Sequence, residues 1–69
     1  MQQKFNVVIE RDSEGWLVAS VPSLHGCHTQ ARSFDELDIR IREAIALSLE
    51  SGEEVECAEF VGIQQIAVG

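Results

Sequence analysis

Long apolar runs are missing from this chain. No stretch approaches the roughly 20 residues that a bilayer-spanning helix needs, and the opening MQQKFNVV holds neither an apolar h-region nor a small-residue cleavage site. These absences argue against a membrane or secreted protein, and a cytoplasmic location is expected. Basic residues are scarce. Five Lys and Arg stand against twelve Asp and Glu, a formal net charge of −7. Such a surface repels phosphate backbones, so nucleic-acid binding by this chain alone is disfavoured and a basic partner is favoured. There is no Gly-rich phosphate loop and no interleaving of basic with aromatic residues. Two cysteines, Cys27 and Cys57, are too few for a disulfide framework, and without a secretory signal they are expected to stay reduced. Near a strand only Glu10 offers a carboxylate, which argues against two-metal phosphodiester hydrolysis.

What remains is a small globular domain, expected to span residues 1–69 as one unit. Hydrophobic residues make up 45% and charged residues 25%, a folded rather than a disordered balance. At 69 residues a single core is marginal. Completion by a second chain, as a homodimer or larger homo-oligomer, is expected.

Periodicity orders the elements. From Lys4 to Glu10, Phe5, Val7 and Ile9 alternate with Lys4, Asn6 and Glu10, Val8 alone breaking the polar side, the pattern of a half-buried strand. Arg11–Gly15 reads as a hairpin connection, and Trp16–Val21 as a second strand ended by Pro22, the one proline in the chain. His25–Gln30 can return as a short third strand with a bulge or close backbone approach at Gly26. Ser33-Phe34-Asp35-Glu36 has the capping-box form. Leu37, Ile41, Ala44, Ile45 and Ser48 then follow at helical spacing, extended by Phe34 and Leu49, with Gly52 placed as a left-handed C-terminal cap. A helix over Phe34–Ser51 is predicted. Glu53, Glu54 and Glu56 form an acidic connection, and Phe60–Val68 is rich enough in β-formers to be a fourth strand. The fold class is α+β, β-β-β-α-β, with one helix on a small sheet. Val8, Ile39 and Leu47 are apolar residues left over once the core is filled.

His25, Cys27 and His28 look like a site. On a strand, however, His25 and Cys27 point to one face and His28 to the other. Three such neighbours do not converge on a zinc ion. A Cys27 nucleophile would need a base within hydrogen-bond reach and a pocket that one thin sheet and one helix have little room to form. The expected roles are a buried, inert Cys27 and two surface histidines. No metal, cofactor or catalytic residue is assigned.

Taken in order, these words are familiar: Val21-Pro22, Leu24, Gly26-Cys27, Thr29-Gln30, the capped Ser33–Glu36, and the helix Ile41–Glu50. Over residues 4–50 the chain resembles the HicB family, antitoxins of HicA–HicB toxin–antitoxin pairs. In that family the Val21, Pro22, Leu24, Gly26, Cys27, Thr29 and Gln30 positions are a structural signature. His25 stands where proline is usual, Ala31 replaces a usual glycine, and Asp38-Ile39 reverses an apolar-polar order, which would move an apolar group to the outer helix face. The resemblance implies a partial ribonuclease H-like fold without its catalytic carboxylates, and a function without enzymatic activity. It also implies a partner: HicA, a small basic toxin that cleaves mRNA, whose active site the antitoxin covers. Glu36, Glu43 and Glu50 on the helix, with Glu53, Glu54, Glu56 and Glu59 after it, are the candidate partner-binding acids. The family often adds a C-terminal DNA-binding domain; none follows here, so no direct DNA binding is expected. The alternative is a stand-alone oligomeric module of the same fold without a toxin.

Overall fold

The computed structural model describes residues 3–52, 55 and 59–69. Three strands, β1 (Val8–Arg11), β2 (Leu17–Ser20) and β3 (His28–Ala31), precede one helix, α1 (Phe34–Glu50). The strands form an antiparallel meander in the order β1-β2-β3. The register pairs Ile9 with Ala19 and Ala19 with Thr29, and Arg11 with Leu17 and Leu17 with Ala31.

That register sorts the side chains. Leu17, Ala19 and Ala31 face the helix and are buried with Val21, Leu24, Cys27, Leu37 and Ile41. Phe5, Val7, Ala44, Ile45 and Val55 pack around them, half-buried. Ala19 and Ala31 are wholly inaccessible; small side chains there let α1 approach the sheet over β2 and β3, the strands it packs on. The opposite face carries Val8, Glu10, Val18, Ser20, His28 and Gln30. At its end the Arg32 guanidinium lies 3.7 Å from the centroid of the Trp16 ring, a cation–π contact.

Local chemistry makes the connections. In the β1–β2 hairpin the Asp12 carboxylate accepts from the amides of Glu14 and Trp16, both at 2.9 Å. Gly15 donates to the Asp12 carbonyl and adopts φ 88°. This is a tight turn closed by a left-handed glycine. The Ser33 hydroxyl caps α1 by accepting from the Glu36 amide at 3.2 Å. At the other end Ser51 is the C-cap and Gly52 takes φ 82°, as its placement predicts.

Three expectations are corrected. The fourth strand over Phe60–Val68 is not formed: residues 59–69 have no strand pairing and are exposed throughout. β-composition makes a strand possible, but pairing also requires that the segment be laid along an edge, and composition does not determine that. The first strand begins at Val8 rather than Lys4, because β2 stops at the turn that opens at Val21 and Lys4–Val7 run past its end. The third strand begins at His28, because Gly26 belongs to a turn and not to a bulge.

Candidate protein-interaction surface

The signature residues build the β2–β3 connection from two consecutive turns. Leu24 donates to the Val21 carbonyl at 3.0 Å, Cys27 to the Leu24 carbonyl at 3.1 Å, and Val21 to the Cys27 carbonyl at 3.0 Å. Pro22 stands second in the first turn, where its fixed φ is favourable. Gly26 stands third in the second turn with φ 77°, which marks a type II turn. The arrangement aims Val21, Leu24 and Cys27 into the core. His25 then occupies the second turn position, a place that suits proline, and its side chain is exposed. His28 opens β3 opposite Ser20 on the far sheet face, also exposed. Buried Cys27 lies between two exposed histidines, and the strand face expected to be shared by His25 and Cys27 is not formed, because both precede β3. Among the described residues no group of three His, Cys, Asp or Glu is placed to hold a metal ion. Thr29 is half-buried beside Ala19, and the Gln30 carbonyl accepts from Arg40 at 2.8 Å.

The helix carries the other candidates. Glu36, Glu43 and Glu50 recur every seven residues and so share one stripe of α1. They are not equivalent. Glu36 forms an ion pair with Arg40, which also holds the Gln30 carbonyl, so this carboxylate ties α1 to β3. Its side chain therefore does not complete the reciprocal capping box that the sequence invites; only the Ser33 half is made. Asp38 accepts from Arg42 at 2.9 Å, and the carboxylate raises the Arg42 pKa further above its ordinary value by that hydrogen bond and by charge. Both pairs sit at i,i+4 spacing, a signal present in the sequence and not used in choosing the acids.

Glu43 and Glu50 are exposed and make no ion pair among the described residues. On the same outward face stand Ile39, one turn before Glu43 and 59% exposed, and Leu47, between Glu43 and Glu50 and 68% exposed, with Ala46 beside Leu47. The reversed Asp38-Ile39 order has placed an isoleucine where the helix meets water. Apolar anchors ringed by charge are the make-up of a protein-binding patch. Glu59 is exposed and lines a cleft of about 510 Å³ with Lys4, Phe5 and Phe60. Glu53, Glu54 and Glu56 lie outside the described residues, as does Cys57. Among the described residues no helix is long and apolar enough to cross a membrane.

No family model matches the sequence. Individual relatives do. A UPF0150 protein of Archaeoglobus fulgidus is 55% identical over 65 residues, 94% of each chain. A UPF0150 protein of Synechocystis is 45% identical over 67 residues, 97% of each. One from Thermotoga maritima is 36% identical over 66 residues, 93% of this chain and 88% of its own. A 65-residue match leaves at most 4 of 69 positions outside it (69 − 65), so most of residues 60–69 fall within the shared domain. Nearly end-to-end similarity at this identity places the three-stranded sheet, its double turn and its helix in one lineage: the chain belongs to the UPF0150 family.

Proposed function

We propose that this protein is a HicB-like antitoxin, a cytoplasmic, non-enzymatic binding protein that covers the active site of a small basic mRNA-cleaving toxin. The observation that carries the reading is the outer face of α1. Ile39 and Leu47 stand exposed beside Glu43 and Glu50, which offers a basic protein both an apolar anchor and complementary charge. The meander followed by one helix is consistent with the first part of a ribonuclease H-like fold. The double turn formed by Val21, Leu24 and Cys27 supports a structural role for the residues that match the HicB words. The formal charge of −7 suits a partner that itself binds RNA.

The test is co-expression with the short basic protein encoded in the adjacent reading frame, followed by purification and an RNA-cleavage assay. A stoichiometric complex that no longer cleaves RNA supports the proposal. A neighbouring protein that neither binds nor is inhibited favours the second reading, a stand-alone oligomeric HicB-like module. What supports that second reading is the uncovered apolar surface away from the outer helix face.

A further inference from the structure

Among the described residues two surfaces lack a counterpart. The first is an arm. Residues 60–69 carry no charged side chain, while the chain as a whole is at −7. Phe60, Val61, Ile63, Ile66 and Val68 are all at least half exposed, Val68 at 92%. The described chain is extended, with a radius of gyration of 13.5 Å against about 11 Å for a compact chain of this length; Phe60 and Val61 line the cleft beside Lys4 and Phe5, and the apolar side chains beyond them stand open to water. The arm's alternate positions give Phe60, Ile66 and Val68 on one side and Val61, Ile63 and Ala67 on the other. Apolar residues on both sides mark a strand meant to be covered on both faces.

The second surface is a trough. Because α1 packs over β2 and β3, the helix side of β1 is left uncovered. A cavity of about 340 Å³ opens there, lined by Val7, Ile9, Ala19, Phe34, Leu37 and Ile41. It is continued past Val7 by a groove that adds Phe5, Ile45 and Leu49. The charged residues on these walls, Asp38 and Arg42, neutralise each other. Beside the trough the outer edge of β1 has no neighbouring strand among the described residues.

We infer that the arm of one copy pairs with the outer edge of β1 in a second copy and seats apolar side chains in that copy's trough, reciprocally. One chain carries both halves, so a twofold arrangement satisfies each of them twice. Charge selects the same contact. Two copies at −7 repel, and they can meet at low electrostatic cost where both surfaces are uncharged or internally neutralised. Edge backbone groups and apolar area are removed from water in one step. This inference concerns self-assembly and does not depend on the toxin reading.

The decisive experiment mixes isotope-labelled with unlabelled wild-type chain and records isotope-filtered contacts, alongside light scattering. The expected result is a mass of twice the 7.6 kDa chain, with methyl contacts between Ile63 or Ile66 of one copy and Val7, Ile9 or Leu37 of another. The double variant Ile63→Lys, Ile66→Lys should be monomeric with its helical circular dichroism intact, since the arm supplies none of the buried core. A monomeric wild-type chain, contacts confined within single copies, or a lysine variant that remains dimeric would each overturn the inference. If the variant unfolds, the filtered contacts of the wild type still decide it.

Discussion

At the scale of single residues, the β2–β3 connection is where one atom matters most. Gly26 holds φ 77°, and a Cβ built on it would meet nothing within 4 Å. The cost of Gly26→Ala is therefore backbone strain alone, about 1–2 kcal/mol, read as a lower urea midpoint with an unchanged slope. His25 is the converse. It sits in the second position of a type II turn, and its amide makes no hydrogen bond among those the turn contains. His25→Pro should stabilise the fold by roughly 0.5–1 kcal/mol by restricting the unfolded chain. The double change His25→Ala, His28→Ala should leave the midpoint and any partner affinity nearly unmoved. A large loss of stability in that double variant would restore a structural role for the histidines. The buried state of Cys27 was legible in the sequence, because a free cysteine commonly packs as a small hydrophobe; the shared strand face expected for His25 and Cys27 was wrong, because both lie in the turn before β3 begins at His28. The turn was not legible, because a bulge and a type II turn make the same demand on glycine.

Among the elements, α1 is bounded by residues whose chemistry is local. Ser33→Ala removes the acceptor for the Glu36 amide and should cost about 1 kcal/mol, whereas Ser33→Asp should restore the cap. For a domain this small, 1 kcal/mol moves the thermal midpoint by about 4–8 °C, which circular dichroism at the helix band resolves. Equal midpoints for the alanine and aspartate variants would show that the cap contributes nothing. Such local signals explain why the helix and the turn of the first hairpin were legible to within a residue or two, while the start of β1 was not. The Asp12 turn and the Gly52 cap are written in adjacent letters. The fourth strand failed for the opposite reason. Phe60–Val68 has strand composition, but an edge lies elsewhere in space, and one chain's sequence does not say whose edge it is. The acids divide along the same line. Glu36 and Glu43 look alike in sequence, yet the reach of Arg40 from Glu36 to the Gln30 carbonyl depends on how α1 crosses β3.

For the whole molecule, charge and apolar area divide the labour of binding, and kinetics separates them. Glu43 and Glu50 are exposed and unpaired among the described residues, so under the proposed function their part is the long-range field that would guide a basic partner in. Single surface charges contribute under about 1 kcal/mol. Glu43→Lys with Glu50→Lys inverts two of them and should slow association roughly tenfold at low salt. The effect should fade as the Debye length shrinks to about 3 Å at 1 M salt. Ile39 and Leu47 act only at contact. Ile39→Ala with Leu47→Ala should leave the association rate almost unchanged and speed dissociation tenfold or more, since a buried apolar anchor typically contributes above 1 kcal/mol. Glu59→Lys, beside the arm, serves as a comparison for charge away from the helix. Surface plasmon resonance against the adjacent-frame basic protein, at low and high salt, reads both rates. If the lysine variants change dissociation and not association, the acids make specific contacts rather than steering. If the alanine pair binds as tightly as wild type, the outer face of α1 is not the interface of the proposed complex, and the open sheet face beside Val8, Val18 and His28 is the next surface to vary.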